Sequence, residues 1–185
     1  MGLVEGKTAI VTGGGANIGE ACARMLADHG AAVAIADINE DGAQRVAAEI
    51  GEAGGKAIGL KVDLGDEASV SAMVAAVAEE FGRIDILHNN AANTGAAQMT
   101  RDGSLAEMEP EVWDAAFDIN VRGTMFVTKH VVPHMIAAGG GSIINTSSGV
   151  SLLGDVLNPA YSASKAAVNA LTRNTATQFG RANIR

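Results

Sequence analysis

A glycine-rich turn at residues 12–19, Thr-Gly-Gly-Gly-Ala-Asn-Ile-Gly, limits what this chain can fold into more than any other feature. An apolar run at residues 7–12 precedes the turn, and helical spacing follows it. Glycines let the backbone approach a ligand closely, and the start of a helix offers free N–H groups. A strand, a glycine turn and a helix in this order predict a dinucleotide site. The residues predicted to form it are Gly13, Gly15, Asn17, Ile18 and Gly19.

An acidic residue at the next strand end favours a dinucleotide site over a glycine turn without a ligand. Asp37 ends the second apolar run, 18 residues beyond Gly19. A carboxylate there can hydrogen-bond the ribose hydroxyls and would repel a 2′-phosphate. No Arg or Lys lies at positions 14–18 or 38 to bind that phosphate. The charge pattern therefore predicts NAD rather than NADP as the cofactor.

Short apolar runs alternate with helical patterns along the rest of the chain. Strands are predicted at residues 7–12, 32–37, 57–62, 84–88 and 142–146, and helices at 19–29, 42–53, 67–81, 111–138 and 160–179. This alternation predicts one α/β domain over residues 1–185, a Rossmann-type doubly wound parallel sheet in the order 3-2-1-4-5 with helices on both faces. Residues 93–109 are predicted to be irregular, and residues 182–185 resemble the approach to a sixth strand.

The composition excludes several classes of partner. A net charge of −8 argues against nucleic acid and against an anionic membrane surface. The single cysteine, Cys22, allows no internal disulfide. No apolar run approaches membrane-spanning length and no signal peptide opens the chain, so we expect a cytoplasmic protein.

Tyr161 and Lys165 lie four residues apart in a segment with helical spacing. Positions i and i+4 share one helix face, so the phenol and the ammonium point into the same space. A cation beside a tyrosine favours the phenolate form, which suits the pair to general acid/base work. Alternatively, Tyr161 packs between helices and Lys165 is solvated.

His130 and His134 have the same spacing, but no third ligand is evident, so no metal site is predicted.

Several motifs occur in an order that is typical of one enzyme family. Besides the glycine turn and the Tyr161/Lys165 pair, they are Asp63-Leu64, Asn89-Asn90-Ala91-Ala92, Asn120 and Ser147-Ser148. With these motifs the chain resembles the short-chain dehydrogenase/reductase family, classical type and NAD-preferring, over essentially its whole length. Asn17 and Ala92 stand where the family usually has Gly, and Asn17 can replace Gly in a left-handed turn. Family members usually continue beyond the catalytic helix, so the chain is expected to be truncated after it.

The resemblance implies four catalytic residues. Tyr161 would be the general acid/base, and Lys165 would favour its phenolate and hold the nicotinamide ribose. Ser148 would position the reacting oxygen; it is chosen over Ser147 because the family places this serine thirteen residues before the tyrosine. Asn120 would hold a water that links Lys165 to solvent.

The resemblance also implies further cofactor contacts and self-association. Asp63 and Leu64 would flank the adenine, although Asp63 is equally suited to be an acid at a helix start. Asn89 would lie beside the cofactor ribose. The family commonly pairs two long helices across a two-fold axis, so a homodimer or homotetramer is expected.

Together these features predict an oxidoreductase that transfers a hydride between NAD and a secondary alcohol or ketone. The candidate substrate-facing positions are mixed, mostly apolar and neutral, which favours a small molecule with a hydrophobic body, such as a steroid, a fatty acyl group or a cyclic alcohol; a sugar stays an open alternative. These positions are Asn93, Thr94, Gly149, Val150, Leu153, Asp155 and Leu157. Two alternatives stay open: an NAD-binding sensor or scaffold without catalysis, and an isomerase or dehydratase on the same scaffold.

Overall fold

Five parallel strands form one sheet in the order β3-β2-β1-β4-β5, in a computed structural model that describes residues 2–185. The strands are β1 (Thr8–Thr12), β2 (Ala32–Asp37), β3 (Lys56–Lys61), β4 (Ile86–Asn89) and β5 (Ser142–Asn145). The order confirms the predicted Rossmann-type fold, and each strand lies within two residues of its predicted position.

Seven helices surround the sheet in the part of the chain that the structure describes. They are α1 (Asn17–Asp28), α2 (Glu40–Glu52), α3 (Glu67–Phe81), α4 (Ala96–Arg101), α5 (Pro110–Phe117), α6 (Thr124–Ala137) and α7 (Pro159–Phe179). The helices differ from the prediction in two places. The short helix α4 lies in the stretch predicted to be irregular; it buries no residue, so no apolar periodicity marks it. The long helix predicted over residues 111–138 is interrupted by a π-helical turn, Asp118–Gly123.

The sheet separates two apolar layers because successive side chains of a strand point to opposite faces. Ile10 of β1 joins the layer beneath α3 and α6, which includes Val74 and Met135. Val11, the next residue, joins the layer beneath α1 and α2. Since both faces are covered, β1 is buried over its full length.

On α5, Trp113 stacks on Phe117 with ring centroids 4.9 Å apart.

The last residues lie along the outer edge of β5. Gly141 and Ile184 form a parallel bridge, Ile143 N donates to Arg185 O at 2.8 Å, and Arg185 N donates to Gly141 O at 3.1 Å. Residues 182–185 therefore do approach the position of a sixth strand, as predicted. Between residues 2 and 185, no helix has both the length and the apolar character needed to cross a membrane.

Candidate active site

A crevice of about 710 Å³ opens at the carboxyl edge of the sheet. It brings together the glycine turn after β1, the carboxyl ends of β2, β3, β4 and β5, and the start of α7. Among the residues that line it are Gly13, Asn17, Ile18, Gly19, Asp37, Asp63, Leu64, Asn90, Tyr161 and Lys165. Most of the residues predicted to bind a cofactor therefore line the same crevice.

The glycine turn has the left-handed backbone that its sequence predicts. Asn17 has a left-handed backbone with φ 52°, as expected of the residue that replaces Gly there. Gly19 is packed so closely that a Cβ atom would lie 2.0 Å from Gly13 O. Ala16, the residue before α1, gives no side-chain cap to the helix. The first residues of α1 line the crevice, and no capping side chain accepts from their N–H groups, as an anion site requires.

Asp37 is held rigidly at the end of β2. Its Oδ2 accepts a hydrogen bond from Gly15 N at 2.9 Å, and its Oδ1 accepts one from Asn39 N at 2.9 Å. The carboxylate thereby joins the glycine turn to the loop before α2. It lines the crevice beside Ile38, at the end where a ribose bound to the turn would lie.

Of the two neighbouring asparagines, Asn90 rather than Asn89 lines the crevice. Consecutive residues at a strand end point in opposite directions. The Asn89 amide is directed into the protein, where its Nδ2 donates to Asn145 Oδ1 at 2.9 Å. Asn90 Nδ2 donates to Thr12 O at 3.1 Å and to Gly13 O at 3.2 Å. Asn89 thus lies beside the crevice lining rather than in it, its contact with a cofactor ribose stays a prediction, and Asn90 fastens the glycine turn to β4.

Asp63 and Leu64 follow β3 and form a further wall. Leu64 is buried, whereas Asp63 is exposed and its Oδ1 accepts from Gly65 N at 2.8 Å. The cap of α3 is Asp66, whose side chain accepts from Ala68 N at 2.9 Å. Asp63 therefore does not serve as the helix cap, which had been the alternative interpretation of this acid.

Tyr161 and Lys165 lie together on the crevice side of α7. Lys165 Nζ is 5.8 Å from the centroid of the tyrosine ring, within the range of a cation–π contact. The lysine is 2% exposed, and its Nζ donates to Thr146 O at 2.8 Å. Burial lowers the pKa of Lys165 from its ordinary value. The interpretation in which Lys165 is solvated is wrong, because its side chain is buried.

Asn120 lies in the π-helical turn beneath the crevice and is 1% exposed. Its Nδ2 donates to Ser164 Oγ at 2.9 Å, and its Oδ1 accepts from Asn93 N at 2.7 Å. The amide thus connects α7 with the segment that lines the crevice after β4. Its role in a proton relay stays a prediction.

Ser148 does not line the crevice but lies just after β5, in extended backbone before a short turn. The neighbouring Ser147 Oγ lies 3.2 Å from Lys165 O and 3.2 Å from Ser151 Oγ, within hydrogen-bonding distance of both. Among the hydrogen bonds of residues 2–185, Ser148 Oγ takes part in none. Ser148, the serine that its spacing to Tyr161 singles out, therefore has the hydroxyl without a hydrogen-bond partner in this part of the chain.

An ion-pair network beside the glycine turn was not foreseen. Arg45 Nη2 donates to Gly15 O at 3.1 Å and to Glu20 Oε2 at 2.6 Å, and Arg24 also binds Glu20. Hydrogen bonds from Arg45 and then Arg24 lower the pKa of Glu20 to about 2. The i,i+4 spacing of Glu20 with Arg24, and of Arg45 with Glu49, could have indicated the pairs within each helix. The contacts between α1 and α2 have no signal in the sequence.

The predicted absence of a metal site concerns two histidines on α6. His130 Nε2 lies 3.1 Å from Glu67 Oε1, a hydrogen-bond contact between α6 and α3. Within residues 2–185, no group of three His, Cys, Asp or Glu side chains could hold a metal ion.

Comparison with known proteins gives consistent matches along the chain. The model of a family described as short chain dehydrogenase matches residues 7–185. A probable short-chain type dehydrogenase/reductase of Bradyrhizobium diazoefficiens is 44% identical, over 100% of this chain and 65% of the relative. A sorbitol dehydrogenase of Cereibacter sphaeroides is 42% identical, over 98% of this chain and 68% of its own length. A cis-4-hydroxycyclohexanecarboxylate dehydrogenase of Sinomonas cyclohexanicum is 40% identical, over 97% and 70% respectively. The chain thus spans 65–70% of the length of these relatives.

Proposed function

The chain belongs to the short-chain dehydrogenase family, and on that premise we propose that it transfers a hydride between NAD and a secondary alcohol or ketone. One observation carries the proposal: the glycine turn and the Tyr161/Lys165 pair line the same crevice. A dinucleotide held by the turn would extend toward the phenol, so cofactor binding and proton transfer would take place side by side.

The residues of the crevice fit a dinucleotide. The uncapped start of α1 offers N–H groups to the pyrophosphate. Gly19 packs so closely against Gly13 that no side chain fits there. Asp37 would bind the adenosine ribose, with Asp63 and Leu64 beside the adenine and Lys165 at the nicotinamide ribose. The fixed Asp37 carboxylate favours NAD, because it would repel the additional phosphate of NADP.

The catalytic work of the protein is proton transfer at Tyr161. Bound NAD supplies the hydride acceptor for oxidation of an alcohol. Tyr161 would take the hydroxyl proton, and the neighbouring Lys165 ammonium favours the phenolate that does so. Ser148 would donate to the reacting oxygen and fix its position. Asn120 would begin the path by which Lys165 exchanges protons with solvent.

The segment between Ser148 and Tyr161 favours an apolar substrate. It carries four strongly exposed aliphatic side chains, which are Leu152, Leu153, Val156 and Leu157. Exposed apolar side chains in a group often mark a binding surface. The sorbitol and cyclohexanecarboxylate relatives are named for different alcohols, so their names favour no single substrate. The exposed aliphatic side chains of this segment are what supports a substrate with a hydrophobic body.

The Tyr161→Phe variant tests the proposed reaction. We expect it to bind NAD as the wild type does and to lose nearly all turnover, because the ring stays and the transferable proton is gone. Alcohols and ketones are screened by the reduced-nicotinamide absorbance, with NAD binding measured by calorimetry. Ser162→Ala is the matched control, since the neighbouring Oγ is buried without a hydrogen-bond partner among residues 2–185.

The outcomes separate the proposal from its alternatives. Undiminished turnover by Tyr161→Phe would remove Tyr161 from the mechanism. Tight NAD binding without turnover of any alcohol or ketone would favour a sensor or scaffold. Substrate conversion without net change in reduced nicotinamide would favour an isomerase or dehydratase.

A further inference from the structure

The first turn of α7 has no cap of its own. Asn158, which precedes the helix, has a left-handed backbone (φ 58°, ψ 48°), and its side chain makes no capping hydrogen bond. Capping side chains ordinarily reach the second or third N–H group from extended backbone. Pro159 has no N–H, and Ser162 N donates to Asn158 O at 2.9 Å. The N–H groups of Ala160 and Tyr161 therefore need an acceptor from elsewhere.

Asp102 supplies that acceptor from a distant part of the chain. Its Oδ1 accepts from Ala160 N at 3.0 Å, and its Oδ2 accepts from Tyr161 N at 2.9 Å. Its carbonyl accepts from Asn158 N at 2.8 Å. The residue is 1% exposed, and a buried carboxylate is tolerated only when its oxygens are hydrogen-bonded. Both oxygens are bonded to the start of α7, where the helix dipole also favours a negative charge.

The same residue ends the segment that lines the crevice after β4. Asp102 N donates to Gln98 O at 3.0 Å and so closes α4. The chain just before α4, including Asn93 and Gly95, forms part of the crevice wall. Asp102 thus joins this wall to the helix that presents Tyr161.

We propose that Asp102 is a positioning residue for the reaction proposed above, and the inference rests on that function. By capping α7 it fixes the backbone of Tyr161, so that the phenol faces the crevice. Asp102 acts through the tyrosine backbone, because its carboxylate bonds Tyr161 N.

Three variants test this proposal. Asp102→Ala removes both acceptors, Asp102→Asn keeps one acceptor oxygen and the size of the side chain, and the exposed Glu107→Gln is the control. Amide hydrogen exchange of Ala160 and Tyr161 measures the cap without any substrate. Tyr161 is the only tyrosine in the chain, so ring-labelled tyrosine gives a single NMR signal for its position. Turnover and NAD affinity are measured in parallel.

We expect faster exchange of both amides in Asp102→Ala and of one in Asp102→Asn, with a shifted or broadened tyrosine signal in each. The kcat should fall about 10- to 100-fold in Asp102→Ala, since small misplacements of catalytic groups cost that much, while NAD affinity is unchanged. Glu107→Gln should match the wild type throughout. If circular dichroism shows that Asp102→Ala does not fold, the amide exchange, tyrosine signal and kcat of Asp102→Asn test the proposal.

Wild-type exchange and an unmoved tyrosine signal in both Asp102 variants would overturn the proposal. So would a loss of kcat with an unmoved tyrosine signal, because Asp102 would then act by another route. If the wild type turns over no alcohol or ketone, but amide exchange and the tyrosine signal still change in the Asp102 variants, the proposed reaction is contradicted. The capping of α7 by Asp102 is then still supported.

Discussion

Among the individual residues of this site, Lys165 is unusual because it is a buried cation. Burial lowers its pKa from the ordinary 10.5, so the native state holds the proton less tightly than the unfolded chain. The unfolded state therefore binds more protons between that lowered pKa and 10.5. At lower pH both states are protonated, and the native state carries the full cost of the buried charge. The contribution of Lys165 to the free energy of unfolding consequently rises with pH across this window.

The Lys165→Met variant should lose this pH dependence, because Met fills a similar volume without a charge. Urea unfolding of both proteins from pH 7 upward measures it: the wild type should gain stability relative to the variant as the pH approaches 10.5. Two parallel curves over that range would contradict the expected shift.

Individual residues could be predicted where one backbone conformation restricts the choice of side chain. Asn17 was expected to be left-handed because few residues other than Gly tolerate that region, and its φ is 52°. The side chains of Asn89 and Asn90 could not be distinguished in the same way, since the facing of each depends on where β4 ends. Asp102 gave no signal, because its partners Ala160 and Tyr161 lie 58 and 59 residues away.

At the scale of elements, apolar periodicity located the strands but concealed a change of helix type. The buried residues of α5, the π-helical turn and α6 include Val112, Ala116, Asn120, Thr124, Val127 and Val131. Their spacings of three and four residues fit one uninterrupted helix. The additional residue of a π-helical turn leaves this pattern intact, so only the structure shows that Asn120 is placed by such a turn.

The same turn packs against the crevice wall at Gly123. A Cβ atom at this position would lie 2.8 Å from Leu64 Cβ and 3.1 Å from Leu64 O. We expect Gly123→Ala to displace Leu64, to weaken NAD binding and to lower the free energy of unfolding by about 1–3 kcal/mol. Calorimetric titration with NAD and urea unfolding measure both effects.

Gly51→Ala is the matched control, because Gly51 lies in α2 and its Cβ would meet nothing within 4 Å. This control should be as stable as the wild type or more so, since alanine favours a helix. Equal NAD affinity in Gly123→Ala and Gly51→Ala would contradict a role of Leu64 in the adenine wall.

For the molecule as a whole, paired carboxylates predict sensitivity to acid. Arginine hydrogen bonds lower the pKa of Glu20 from 4.5 to about 2 and also lower the pKa of Glu49. For Asp85, burial opposes ionisation, but hydrogen bonds from Arg83, Thr8 and Lys7 outweigh it and lower the pKa. The stability that these groups contribute is present above about pH 4.5 and is lost as the pH falls through their lowered pKa values.

Glu20→Gln should flatten part of this acid response. The wild type should lose stability faster than the variant between pH 4.5 and 2, as followed by urea unfolding at several pH values. Glu107→Gln, an exposed residue of the same charge, should follow the wild type. A Glu20→Gln curve that coincides with the wild type would show that the ion-pair network adds nothing in acid.

We also propose that the whole molecule is a homodimer or homotetramer. The proposal comes from the family's pairing of long helices, and α7 leaves most of its length incompletely buried in the single chain. Sedimentation at micromolar concentration measures the mass. A monomer of 18.7 kDa under those conditions would refute the proposal.

The stacked ring pair on α5 gives this protein a built-in optical probe. Trp113 is the only tryptophan of the chain, so tryptophan fluorescence comes from a single indole in contact with Phe117. The pair lies immediately before the turn that carries Asn120, and α5 packs against α7. With excitation at the red edge of the indole absorption, where Tyr161 does not absorb, changes in emission can therefore be assigned to this one region without labels.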